Sequence, residues 1–210
     1  MRDGESHSSG LGSRIQSIYS PMNIVLIGYR GTGKTAVGKA LSKRLGRPFY
    51  DADAYLEQNL RRTISDMVAA EGWPFFRARE KEIIGEIAAK DECVIATGGG
   101  AVMDKDNVVC LRSKGAFVLL KADTDTMIQR IQGDEMSSQQ RPELLGGDIY
   151  EETERLLKER MPIYEEVADF SVDTSNLAID EVVEQIVRYL QAESLRSDTI
   201  PIGERSYAGK

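Results

Sequence analysis

Gly28-Tyr29-Arg30-Gly31-Thr32-Gly33-Lys34-Thr35 lies between an apolar run, residues 24–27, and a stretch with helical spacing, residues 36–45. The order G-x-x-x-x-G-K-[ST] between a strand and a helix is the pattern of a phosphate-binding loop. Its glycines let the backbone wrap closely, its N–H groups converge on phosphate oxygens, and the following helix presents its positive end. Lys34 is then expected to reach the β- and γ-phosphates of a nucleotide. The Thr35 hydroxyl is expected to serve as a Mg²⁺ ligand, because Mg²⁺ takes a few protein oxygens together with water and phosphate. The plainer alternative is a glycine turn with a solvated lysine, and the flanking strand and helix argue against it.

Composition narrows the function further. At 210 residues and 41% hydrophobic content the chain can bury one sizeable core, so a single domain is expected. A net charge of -7 argues against a large nucleic-acid footprint but leaves room for a local basic pocket. No apolar run approaches the roughly 18 residues of a membrane span, so no membrane partner is expected. Cys93 and Cys110 show no metal-type spacing and fit core thiols in a reducing, cytoplasmic compartment. His7 is the only histidine and sits in a Ser/Gly-rich leader, which argues against a Ser-His-Asp triad or a histidine-ligated zinc. Any general base is then a carboxylate, lysine, tyrosine or thiol.

Taken in order, residues 1–21 lack an apolar h-region and read as a disordered leader. Residues 23–27 form a buried parallel strand, and the helix after the loop closes at Gly46 and Pro48. A short strand at Phe49–Asp51 leads into Asp51-Ala52-Asp53, which places two carboxylates where an open α/β sheet faces its ligand crevice. Asp53 could equally be the cap of the helix that follows. A short helix over residues 63–70 is broken by Gly72-Trp73-Pro74 before a longer one, residues 75–90. There Arg77 and Glu80 share a face, either as a held guanidinium or as a solvated ion pair. The strand at residues 93–97 ends in Gly98-Gly99-Gly100, a bare backbone able to approach a ligand, or a plain turn. Helices are expected at residues 104–113 and 124–131, with a strand at 116–121 between them. Residues 132–148 are polar, contain Arg141-Pro142 and read as a mobile lid. A charged helix over residues 150–166, interrupted near Pro162, carries Arg155 and Arg160. A last strand at 168–172, a helix at 179–190 and a polar tail at 191–210 complete the chain. Strands alternating with helices predict a three-layer α/β/α domain with a central parallel sheet and right-handed crossovers.

Over residues 22–190, the motifs GYRGTGKT, FYDAD, FRAREKE, TGGG, an Arg-Pro in a polar lid and ERMPIYEEVA follow one another as in the shikimate kinase family, which the chain resembles. The resemblance implies a P-loop kinase fold and phosphorylation of the shikimate 3-hydroxyl by ATP with Mg²⁺, giving shikimate 3-phosphate and ADP in the chorismate pathway. It implies a monomeric, cytoplasmic enzyme whose kinase domain, residues 22–190, has an acceptor-binding segment at about 53–82 and a lid at about 132–148. Carried over, Gly31, Thr32, Gly33, Lys34, Thr35 and Ala36 bind the nucleotide phosphates, and Thr35 and, through water, Asp51 hold the metal. Asp53 orients the acceptor hydroxyl and takes its proton. Arg77 and Arg160 bind the acceptor carboxylate, with Gly98, Gly99 and Gly100 around the ring. Arg141 descends onto the transferring phosphoryl group, Arg130 flanks adenine, and residues 173–176 form the adenine loop. Two features depart from the family pattern: Trp73 follows Gly72 where Gly-Glu is usual, and the lid is a few residues longer.

Chemistry agrees with this reading. Phosphoryl transfer needs mainly positioning and charge neutralisation, and a closed lid keeps water out. Two acceptor-side arginines imply an anionic acceptor, and guanidinium pairs bidentately with a carboxylate. A gluconate kinase is expected to carry a histidine near the second strand, and a nucleoside-monophosphate kinase a larger insert. A non-catalytic nucleotide-binding regulator would have been marked by loss of Lys34, Asp53, Arg77 or Arg160, all of which are present. Removal of residues 1–21 is expected to leave soluble, active protein. Loss of activity in that truncation would show that the leader is structural.

Overall fold

The computed structural model describes residues 22–133 and 148–199; the expected leader, the central part of the expected lid with Arg141, and residues 200–210 lie outside the described residues. Among the described residues, five parallel strands form one sheet: β1 (Asn23–Ile27), β2 (Phe49–Asp51), β3 (Val94–Ala96), β4 (Gly115–Lys121) and β5 (Phe170–Asp173), in the order β2-β3-β1-β4-β5. The α-helices among these residues are α1 (Lys34–Leu45), α2 (Ala52–Leu60), α3 (Ile64–Ala88), α4 (Lys105–Arg112), α5 (Thr124–Gly133), α6 (Ile149–Val167) and α7 (Ile179–Thr199).

β1 is central because both of its faces are apolar. Val25 and Ile27 join Phe117 and Leu119 in one core, packed against α2, α3 and α6, while Ile24 and Leu26 join Val118 and Leu120 in a second core beneath α1 and α7. Side chains alternate across a strand, so one run of four aliphatics supplies both layers. Each such side chain, fully buried, stabilises the fold by about 1.5–3 kcal/mol. The chain leaves β1 toward β2 on one side and later enters β4 on the other. Sheets that reverse direction in this way open a crevice at the carboxyl ends of their strands. The phosphate loop emerges there.

Several boundaries differ from those expected. α1 begins at Lys34 instead of residue 36, because Gly33 takes a left-handed conformation and caps it. α6 runs through Pro162 without interruption; Lys158, whose carbonyl loses its partner there, and Pro162 are both exposed, so water can satisfy that group. α7 continues to Thr199, nine residues into the expected tail, since the first proline or glycine after Leu190 is Pro201. The break at Gly72 is present as a kink (φ 80°, ψ 173°) inside α3. Among the described residues no helix is long and apolar enough to cross a membrane.

Below the sheet, the buried Asn23 ties β1 to β3. Its side chain donates to the Lys90 carbonyl (2.8 Å) and accepts from the Cys93 backbone N–H (3.0 Å) and thiol (3.3 Å). Burial pushes the Cys93 thiol up to about 11, while Cys110 is only half-buried. Alkylation requires the thiolate. Mass spectrometry after mildly alkaline iodoacetamide treatment should therefore find Cys110 modified and Cys93 modified only in denaturant. Equal labelling of both thiols in the native protein would contradict this packing.

Candidate active site

The phosphate loop is shaped by glycine backbone. Gly28 and Gly31 have φ of 135° and 78°. A Cβ at Gly28 would run into the Leu120 carbonyl, and one at Gly31 would lie 2.6 Å from the Met127 carbonyl. The loop is thereby wedged between the end of β4 and α5. Thr32 closes the turn by donating its hydroxyl to the Tyr29 carbonyl (2.8 Å). Lys34 Nζ is drawn under the loop and donates to the carbonyls of Gly28 (2.9 Å) and Tyr29 (2.7 Å). No acidic residue occupies the first turn of α1, so the helix has no carboxylate of its own against its positive end. Such an end favours an anion from outside.

A cleft of about 550 Å³ lies over this loop and is lined by Arg30 to Val37, Asp51, Asp53, Thr97, Gly99, Arg130, Thr174 and residues of the α7 start. Asp51 performs two tasks. One oxygen caps α2 by accepting from the Ala54 N–H (3.3 Å), and the other accepts from the Thr35 hydroxyl (2.6 Å). The cap is thus Asp51, and Asp53 sits in the first turn with its side chain at the cleft. Thr35 gives its proton to Asp51 and keeps its lone pairs for other partners. A hydroxyl and a carboxylate in contact, beside a second carboxylate and a phosphate-binding loop, form a hard-oxygen donor set.

At the other end of the cleft, Arg130 donates to the Thr174 hydroxyl (2.9 Å), the Thr174 carbonyl (2.7 Å) and the Gly31 carbonyl (3.3 Å). The buried Thr174 hydroxyl also lies 3.1 Å from the carbonyls of Thr32 and Lys121. The turn carrying it is fixed by Ser175, whose hydroxyl and N–H donate to Asp173 (2.6 and 2.9 Å) and, with the hydroxyl's bond foremost, hold that carboxyl below its usual range. Leu177, Ala178, Ile179 and Val182 continue the lining with apolar surface. The family resemblance pointed to Arg130 and to residues 173–176, of which Arg130 and Thr174 line the cleft, but no sequence signal pointed to Thr174's hydrogen bonds or to Leu177 and Ile179. A lone threonine after a strand carries no spacing signal.

Arg77, Arg160, Gly98 and Gly100 are outside the cleft lining and adjoin it through the glycine turn. Gly99 packs against the phosphate loop, an ideal Cβ lying 3.6 Å from both the Gly28 carbonyl oxygen and the Arg30 nitrogen. The buried Tyr164 hydroxyl donates to the Gly99 carbonyl, which anchors α6 and with it Arg160, one turn earlier. Arg77 pairs with Glu80 (2.5 Å), and Glu80 is buried, so this is a held guanidinium rather than a solvated pair. The Arg77 guanidinium lies 5.7 Å from the Trp73 ring centroid and 5.0 Å from that of Phe76. Trp73 itself stands edge-on to Phe76, 5.7 Å between centroids, and so packs on the core while touching Arg77. Arg155, by contrast, pairs with Glu159 (2.8 Å) on the surface. Arg141 lies outside the described residues.

Fold and cleft together define a kinase of the P-loop class. A sequence profile described as shikimate kinase matches residues 30–191. The chain belongs to the shikimate kinase family. The shikimate kinase of Syntrophus aciditrophicus (strain SB) is 48% identical over 179 residues, covering 81% of this chain and 92% of that one. That of Symbiobacterium thermophilum is 42% identical over 175 residues, or 83% and 99% of the two chains. Among solved structures, the shikimate kinase from Acinetobacter baumannii in complex with shikimate is 30% identical with a TM-score of 0.78, covering 89% of this chain and 99% of that one. A gluconokinase from Sinorhizobium meliloti, 21% identical with a TM-score of 0.52, shares the fold alone.

The contact between Gly100 and Arg77 is directly testable. A Cβ on Gly100 would lie 2.8 Å from Arg77 Cζ, and the flexible arginine tip would yield before the backbone did. Gly100→Ala should therefore melt within a few degrees of the parent but bind its acceptor at least several-fold more weakly, measured as KM. An unchanged acceptor KM would show that Arg77 takes no part in acceptor binding.

Proposed function

We propose that this chain performs its family's reaction, transfer of the γ-phosphoryl group of ATP to the 3-hydroxyl of shikimate, with residue roles as follows. The single observation that carries the reading is that the phosphate loop, Asp53 and Gly99 line one cleft, with Arg77 against the neighbouring Gly100. Lys34 exchanges its two loop carbonyls for phosphate oxygens. The N–H groups of Gly31 to Ala36 hold the β-phosphate, and Arg130 with Thr174 frames the adenine end. Asp53 accepts a hydrogen bond from the acceptor hydroxyl, aims it at phosphorus and takes its proton. Arg77 and Arg160 fix the shikimate carboxylate at the far side of the ring. Arg141 takes, on family resemblance, the role of neutralising charge on the transferring group.

The Thr35 hydroxyl, with Asp51 behind it, fits Mg²⁺, a metal that keeps most of its water and binds few protein oxygens. When bound, Mg²⁺ neutralises phosphate charge and orients the β- and γ-oxygens. On the family resemblance the working unit is taken as a monomer, acting on small molecules in the cytoplasm.

A coupled ADP-release assay should show turnover with shikimate and none with gluconate or nucleoside monophosphates; the reverse pattern would end this reading. Lys34→Ala should abolish transfer. Asp53→Asn should lower kcat by orders of magnitude with little change in ATP binding. Arg77→Ala and Arg160→Ala each remove a charge-assisted hydrogen bond of about 1.5–3 kcal/mol and should raise the KM for shikimate about ten- to 150-fold, far more than that for ATP. Shikimate should also change Trp73 fluorescence saturably, because Trp73 touches Arg77. Calorimetric binding with a silent tryptophan would place the acceptor away from Arg77.

A further inference from the structure

We propose that Tyr29, a residue of the phosphate loop, is a positioning residue for the acceptor: its ring face holds the Arg160 guanidinium in place for the shikimate carboxylate. This rests on the reading of Arg160 as an acceptor-side residue. The Tyr29 ring is buried, at 2% exposure, and two guanidinium carbons lie over it, Arg160 Cζ at 5.9 Å and Arg30 Cζ at 5.8 Å from its centroid. The two arginines are in different situations. Arg30 has a counter-charge in the buried Glu152, 3.8 Å away. Arg160 makes no ion pair or hydrogen bond among the described residues, and its described contact is the ring. A cation within about 6 Å of an aromatic face is held by the ring's negative quadrupole. Unlike a carboxylate, that face orients a guanidinium without neutralising it, so its N–H groups remain available to an anion.

The hydroxyl points the same way. Tyr29 Oη is buried without a hydrogen-bond partner among the described residues, so it is the ring, and not the phenol, that the fold uses here. The backbone of the same residue accepts from Lys34 and Thr32. Tyr29 therefore joins the phosphate site, through its carbonyl, to the acceptor site, through its side chain. Arg77 has the corresponding support from Trp73 and Phe76, so both acceptor-side guanidiniums rest on aromatic faces.

Steady-state kinetics on the full chain tests this. Tyr29→Leu should raise the KM for shikimate about three- to tenfold while kcat and the KM for ATP stay near the parent values. Tyr29→Phe, which keeps the face and drops the partnerless hydroxyl, should restore the parent KM. Phenylalanines of increasing ring fluorination at position 29 keep the shape and remove the negative face, and should raise the shikimate KM stepwise even if the leucine variant does not fold. In an Arg160→Ala background, Tyr29→Leu should add nothing. A flat response to fluorination, an equal rise in both KM values, or full additivity with Arg160→Ala would each overturn the role of the ring while leaving the acceptor site standing. A parent-like shikimate KM in Arg160→Ala alone would instead remove the acceptor-side reading of Arg160, and the proposal with it.

Discussion

The site depends on one steric constraint, the lack of room for side chains where the β1–α1 loop passes between β4 and α5. Gly28 and Gly31 meet backbone carbonyls, which cannot move aside as a side chain can. With the loop path set in this way, the carbonyls of Gly28 and Tyr29 meet the Lys34 ammonium, and residues 30–37 line the cleft. The buried aliphatics of β1 on two cores keep that path from shifting, because sliding the strand by one residue would exchange its two faces. Charge placement at the site is thus a consequence of backbone packing at the centre of the sheet.

Much of this was legible in the sequence, for identifiable reasons. The apolar run at residues 24–27, the loop, the Gly72 break and the strand at 116–121 are short-range signals, and each appears near its expected place. Boundaries set by tertiary context were less legible. Pro162 reads as a helix breaker, yet its exposed position makes the lost hydrogen bond tolerable; the end of α7 carries no stop signal before Pro201. At the site, Asp51 and Asp53 looked alike as a period-two pair. Their different geometries, one capping α2 and bound to Thr35, the other at the cleft in the first turn, depend on where the strand ends. Thr174 fell within the stretch 173–176 singled out by resemblance, but its hydrogen bonds were not legible, because its hydroxyl acts on Thr32 and Lys121, 142 and 53 residues away.

Two kinds of polar support meet in the cleft. Along the phosphate loop, Thr174 and Arg130 are joined to it and to each other through backbone carbonyls. Around Arg77 and Arg160 the support for cations is aromatic, with two buried carboxylates, Glu80 beside Arg77 and Glu152 near Arg30. A buried carboxylate is costly unless matched, and Glu80 is matched by Arg77. Both regions gather cations locally on a chain of net negative charge.

The kink at Gly72 has an electrostatic effect separate from its geometric one. Had α3 run unbroken from Ile64 to Ala88, Arg77 would stand in the middle of a 25-residue helix, where the macrodipole contributes almost nothing. The break starts a new helix at Trp73 and places Arg77 just beyond its first turn, close to the partial positive charge of its opening N–H groups. A cation is mildly disfavoured there, and the direct contact with the buried Glu80 carboxylate (2.5 Å) more than offsets that cost. The kink therefore sets a positive helix end beside the Arg77 guanidinium, in a segment that an unbroken helix would have left without one.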